Sequence, residues 1–92
     1  MSTIRKDKLL REPSIGSLIC YNPPRYKGLV IGRVVSFTKV GLPIAVPLED
    51  WEEYQMDLLV PDDYETQEDC MLAYGYAPKT GFVIVEDTLN LH

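Results

Sequence analysis

Histidine is almost missing from this chain: its one imidazole belongs to His92, the last residue. A chain end holds a base poorly, so histidine-based triads are excluded. Cysteine is nearly as scarce. Cys20 and Cys70 stand apart, without histidine neighbours, which argues against a structural zinc site and against a thiol activated by basic surroundings. Each lies in an apolar segment, and the expectation is two buried free thiols, with a Cys20 to Cys70 disulfide as the alternative. Long hydrophobic runs are absent as well. The longest, counting Gly and Pro, is Val40 to Leu48, far below the roughly 20 residues that span a bilayer. The opening MSTIRKDKLLREPS lacks the continuous apolar segment of a secretory signal, so the expected compartment is the cytoplasm. No glycine loop precedes a helix start as a phosphate cradle requires, and Asp62 to Asp69 (DDYETQED) lacks the glycine and alternating spacing of a calcium loop. No acid and base pair can be named, so the expectation is a protein that is not an enzyme and uses no cofactor or metal.

The 92 residues that remain to be explained are 46% hydrophobic and 25% charged, the balance of an ordinary globular chain of one domain. Residues 1–13 read as a short helix or flexible arm and 14–92 as a single small β domain. Ser17 to Asn22 is an apolar run ended by Pro23 and Pro24, hence a buried strand. PPRYK becomes a loop, and Gly28 to Thr38 a long strand whose Gly32 marks a kink or bulge. Lys39-Val40-Gly41 reads as a tight turn. Leu42 to Val46, with Pro43 and Pro47 near its ends, reads as a strand that sits at an edge or is capped by the prolines. In Glu49 to Val60, Trp51, Tyr54 and Leu58 recur at helical spacing while Tyr54, Met56, Leu58 and Val60 alternate, so a helical turn passing into a short strand is expected. Cys70 to Tyr76 and Phe82 to Asp87, joined by APKTG, read as a closing hairpin.

Five strands in so short a chain predict a mainly β fold: a five-stranded antiparallel barrel or compact β-sandwich with one short helical turn. The sequence of strand, loop, long bent strand, tight turn and closing strands resembles an SH3-like small barrel. That resemblance is architectural and assigns no functional residue.

Charge is divided along the chain. Residues 1–39 hold eight cations against Asp7 and Glu12, whereas residues 40–92 hold only Lys79 against twelve carboxylates, giving the net charge of -5. The acidic half also carries Trp51, Tyr54 and Tyr64, a combination expected of an interface with aromatic anchors inside a charged rim. The leading expectation is therefore a binding module, regulator or inhibitor that engages a protein partner through Trp51, Glu52, Glu53, Tyr54, Asp62, Asp63, Tyr64, Glu65, Glu68 and Asp69. Such a surface can occupy a basic nucleic-acid-binding groove. The alternative is a nucleic-acid-binding barrel that uses Arg25, Tyr26, Lys27 and Arg33, with tyrosine stacking on a base. Against it stands the pairing of these cations with the chain's own carboxylates. A homo-oligomer formed through a strand edge is a third reading, no membrane partner is expected, and small viral accessory proteins share this composition with cellular adaptors.

Overall fold

The computed structural model describes residues 4–59, 66–79 and 81–85. Its frame is a four-stranded antiparallel sheet of β1 (Leu18–Tyr21), β2 (Val30–Phe37), β3 (Pro43–Pro47) and β4 (Val83–Ile84), in the order β3-β2-β1-β4. A single 3-10 turn (Leu48–Asp50) leads into α1 (Trp51–Leu59), followed by α2 (Gln67–Tyr74). Among the described residues no helix is long and apolar enough to cross a membrane.

The fold is mainly β, as expected, but among the described residues it has four strands rather than five, and their sheet does not close into a barrel. The strand expected over Cys70 to Tyr76 is mostly helix. The helix has clear local causes. Thr66 caps it, its Oγ1 accepting from the Asp69 amide at 3.1 Å, and Glu68 and Asp69 lie in the first turn, where the helix dipole favours carboxylates. Its body is Cys-Met-Leu-Ala-Tyr, with no β-branched residue to favour a strand. Cys70 and Tyr74, four apart, then share the buried side. All that remains of the expected strand is Tyr76, whose N–H and C=O pair with Ala45 at 2.9 and 3.0 Å.

Glu49 to Val60 likewise resolves toward helix, since Trp51, Tyr54 and Leu58 all pack on the sheet while Met56 stays exposed. The strand expected after that turn is not formed over Met56 to Leu59. Gly32 makes neither kink nor bulge. It sits in regular register opposite Ile19 and Pro47, and the irregularity lies between Val34 and Ser36. Its cause is a close approach: a Cβ at Gly32 would stand 2.6 Å from Tyr21 Oη and 2.9 Å from the Val46 carbonyl oxygen.

Strand alternation splits the core in two. One face of the sheet buries Ile19, Tyr21, Val34 and Ala45 against Phe82, with Phe37 and Tyr76 packed alongside. The other buries Val46 with Tyr54 and Cys70, and Val35, Trp51 and Leu58 pack around them. Each fully buried aliphatic side chain, Ile19 or Val34 for example, contributes about 1.5–3 kcal/mol of transfer free energy. Helices α1 and α2 thus cover the second face, while the connector after α2 crosses the first on its way from the β3 edge to β4.

Both outer edges of the sheet are occupied. Tyr76 pairs with Ala45 on β3, and residues 7–11 lie beside β4. There Asp7 is buried and accepts from the Ile84 amide at 2.9 Å, while Arg11 Nη2 donates to the Ile84 carbonyl. The same carboxylate accepts from the Leu9 and Arg11 amides and from the Arg11 guanidinium. An acid and a base four residues apart thereby replace a neighbouring strand.

Candidate protein-binding surface

From Glu49 to Ala77 the chain has ten carboxylates and no lysine or arginine. Its described parts fold as the helical layer over one face of the sheet. On α1, Glu52 and Glu53 are exposed and Asp57 is half-buried; on α2, Glu68 and Asp69 are exposed. Asp62, Asp63, Tyr64 and Glu65 lie outside the described residues.

The aromatic residues expected as anchors are placed differently. Tyr54 is buried, 5% exposed, and packs edge-on against Tyr74 with ring centroids 5.6 Å apart. Burial pushes its hydroxyl pKa up. Trp51 is half-buried, 5.5 Å from the Tyr54 ring, and the Arg33 guanidinium carbon lies 5.4 Å from its ring centroid. Both rings serve the contact between α1 and the sheet. The apolar side chains that reach solvent on the helices are aliphatic: Met56 at 67% exposure, Leu59 at 82% and Leu72 at 56%. A shallow groove of about 440 Å³ lies among Gln55, Leu58, Leu59 and Gln67, where the end of α1 meets the start of α2. The sequence held a signal for this: with Trp51, Tyr54 and Leu58 turned inward, helical spacing sends Met56 and Leu59 outward.

Two carboxylates of this layer share one phenol. Tyr74 Oη donates to Asp57 at 2.6 Å and approaches Glu53 at 3.1 Å, which ties α2 to α1. The hydrogen bond to Asp57, followed by burial and the bond to Glu53, pushes the Tyr74 pKa far up. The phenol stays protonated and lends the carboxylates a donor without cancelling their charge.

The alternative set is dispersed and partly engaged. Arg25 meets Asp50 at 3.5 Å, and Tyr26 Oη donates to the same carboxylate at 3.0 Å. Burial and that bond raise the Tyr26 pKa. Arg33 donates to the Gly16 carbonyl at 3.2 Å and covers Trp51, while Lys27 is exposed. The expected pairing of these cations with the acidic half is thus made at Asp50 by Arg25, and Arg33 meets a ring instead. Cys70 is buried and Cys20 half-buried, and neither is bonded to the other. Comparison with protein-family models, with curated proteins and with solved structures finds no match for this chain.

Proposed function

We propose that this protein is a non-enzymatic binding module that engages a basic protein partner through the helical layer of α1 and α2. The observation that carries the reading is that α1 and α2 expose Glu52, Glu53, Glu68 and Asp69 together with Met56, Leu59 and Leu72, in a stretch of sequence that holds ten carboxylates and no cation. Charge of one sign steers a basic partner and rejects nucleic acid, and apolar side chains within the charged surface supply the desolvated contact that holds it. The α1 C-terminus adds to the field, since its last turn has no basic residue and its carbonyl end is the negative pole of the helix. Function is by occupancy: the module covers a basic groove on its target, such as one that otherwise holds nucleic acid. A nucleic-acid role for Arg25, Tyr26, Lys27 and Arg33 draws less support, because a phosphate there would have to displace Asp50.

The test compares capture from nuclease-treated lysate by the native chain with capture by a variant carrying Glu52→Gln, Glu53→Gln, Glu68→Gln and Asp69→Asn. These side chains are exposed, and at Glu53 glutamine keeps an acceptor for the Tyr74 hydroxyl, so the fold should survive, and circular dichroism checks that it does. A protein held by the native chain and released by the variant is the expected result. Identical capture by both would reject the reading.

A further inference from the structure

Three of the cations that meet no carboxylate gather beside Phe82, a residue of the core on the sheet face away from α1 and α2. Arg5, Lys6 and Lys79 line a pocket of about 190 Å³ with Leu42, Pro78, Gly81 and Phe82. Among the described residues no carboxylate lines it. The ion pairs among the described residues are Asp7 with Arg11 and Arg25 with Asp50, so these three cations have no anionic partner there. We propose that this pocket binds the phosphoryl or diphosphoryl group of a small phosphate-bearing molecule.

Three features support a built site. The backbone that carries the cations is pinned on both sides of Lys6: the Arg5 amide donates to Gly41 at 2.9 Å and the Lys8 amide to Phe82 at 3.1 Å. Arg5 Nε also rests 3.4 Å from the Val40 carbonyl oxygen, which orients its guanidinium. Ordering these positions in advance lowers the entropic cost of capture. Next, Asp7, the acid between Lys6 and Lys8, is withdrawn into its bonds with Arg11 and Ile84 and leaves the local charge positive. Finally, Gly81 has φ of 122°, open to glycine, and a Cβ there would meet Lys8 Cε at 2.9 Å. The glycine lets the Lys8 stem lie against the connector, so a fourth cation borders the neighbouring cleft that shares Gly81 and Phe82 with this pocket.

Size and setting select the ligand. Pockets that enclose drug-sized molecules run to about 300–1,000 Å³, and this one is smaller, so it takes a phosphoryl or diphosphoryl group and leaves any nucleoside outside. Three or four cations suit a dianion or a more highly charged group, with Arg5 able to make the two parallel bonds a phosphate accepts. The carboxylate-rich helices lie across the sheet, where intervening protein and salt weaken their effect on the pocket.

The test is a titration of the full chain, followed by amide NMR shifts, at constant ionic strength in sodium chloride. The probes are inorganic pyrophosphate, ATP and a single-stranded DNA oligonucleotide. Saturable shifts confined to residues 5–8 and 79–82 are expected with pyrophosphate. Lys6→Gln combined with Lys79→Gln should weaken binding at least about tenfold, with an unchanged fold by circular dichroism. Equal or tighter binding of pyrophosphate than of ATP assigns a free diphosphate, and tighter binding of ATP assigns a nucleotide; both support the site. Shifts that never saturate, binding unaffected by the double substitution, or binding of the oligonucleotide without pyrophosphate would overturn it.

Discussion

Asp7→Asn tests whether a side-chain pair really substitutes for a strand at the β4 edge. The Asp7 side chain is fully buried, whereas that of Arg11 is 44% exposed. Burial by itself raises the carboxyl pKa, but bonds from the Ile84 and Arg11 amides, the Arg11 guanidinium and the Leu9 amide outweigh it and hold it at about 2, from 3.8. At about 1.4 kcal/mol per unit, and with the part due to exposed Arg11 discounted for screening, the charged form contributes about 2 kcal/mol. Counting bonds leads to the same size, since removing acceptors from buried donors costs about 1–3 kcal/mol. For a domain this small, a loss of that order lowers Tm by about 10 °C. The pKa is lower in the folded chain, so between about 2 and 3.8 the unfolded chain binds more protons and stability rises with pH. The Asp7 contribution is therefore complete above the unfolded value and lost as pH falls through about 2. Urea unfolding of native and variant chains at several pH values, compared by difference, separates Asp7 from the other carboxylates. A difference below about 0.5 kcal/mol near neutrality, or one that stays constant from pH 5 to pH 2, would refute the reasoning.

Four further outcomes follow from single contacts. Gly32→Ala should cost about 2–3 kcal/mol in urea unfolding, because its Cβ would collide with the Tyr21 ring and the Val46 carbonyl. Leu10 is exposed and held at φ of 64°, so Leu10→Gly should raise stability by up to about 1 kcal/mol, measured the same way. Tyr74→Phe removes the donor between Asp57 and Glu53 and should cost about 1–2 kcal/mol, with hydrogen exchange speeding up in α1 and α2 before the sheet. Thr66→Ala deletes the cap of α2 and should cost about 1 kcal/mol, with reduced helical signal in circular dichroism.

The strands were legible where alternation and breakers agreed. Leu18–Tyr21 ends before Pro23, and Pro43–Pro47 lies at an edge, as its prolines require. The helices were obscured because most of their inward residues, Trp51, Tyr54 and Tyr74 among them, are aromatic, a type that also suits strands. Tyr54 and Tyr74 meet each other across α1 and α2, a long-range contact that no local pattern announces. The Asp7 and Arg11 clamp was equally hidden, since its partner in β4 is 77 residues away. The four-residue spacing is visible in the sequence, but the edge strand it completes is not.

Charge shows most directly why linear and spatial order differ. In sequence the sign changes near residue 40, yet the fold does not keep that boundary. Lys79 belongs to the acidic half but rides the connector across the sheet to join Arg5 and Lys6. Arg25 and Arg33 belong to the basic half but turn toward Asp50 and Trp51, beside the helices. The fold therefore re-sorts the charges: the described part of the α1 and α2 layer exposes Glu52, Glu53, Glu68 and Asp69, and Arg5, Lys6 and Lys79 gather around a pocket that no described carboxylate lines. Each exchange has a local cause, the Tyr76 pairing that launches the connector and the ring and carboxylate that hold the two arginines. A net charge of -5 thus does not describe the field at either place, and recognition there depends on the local charges rather than on the total.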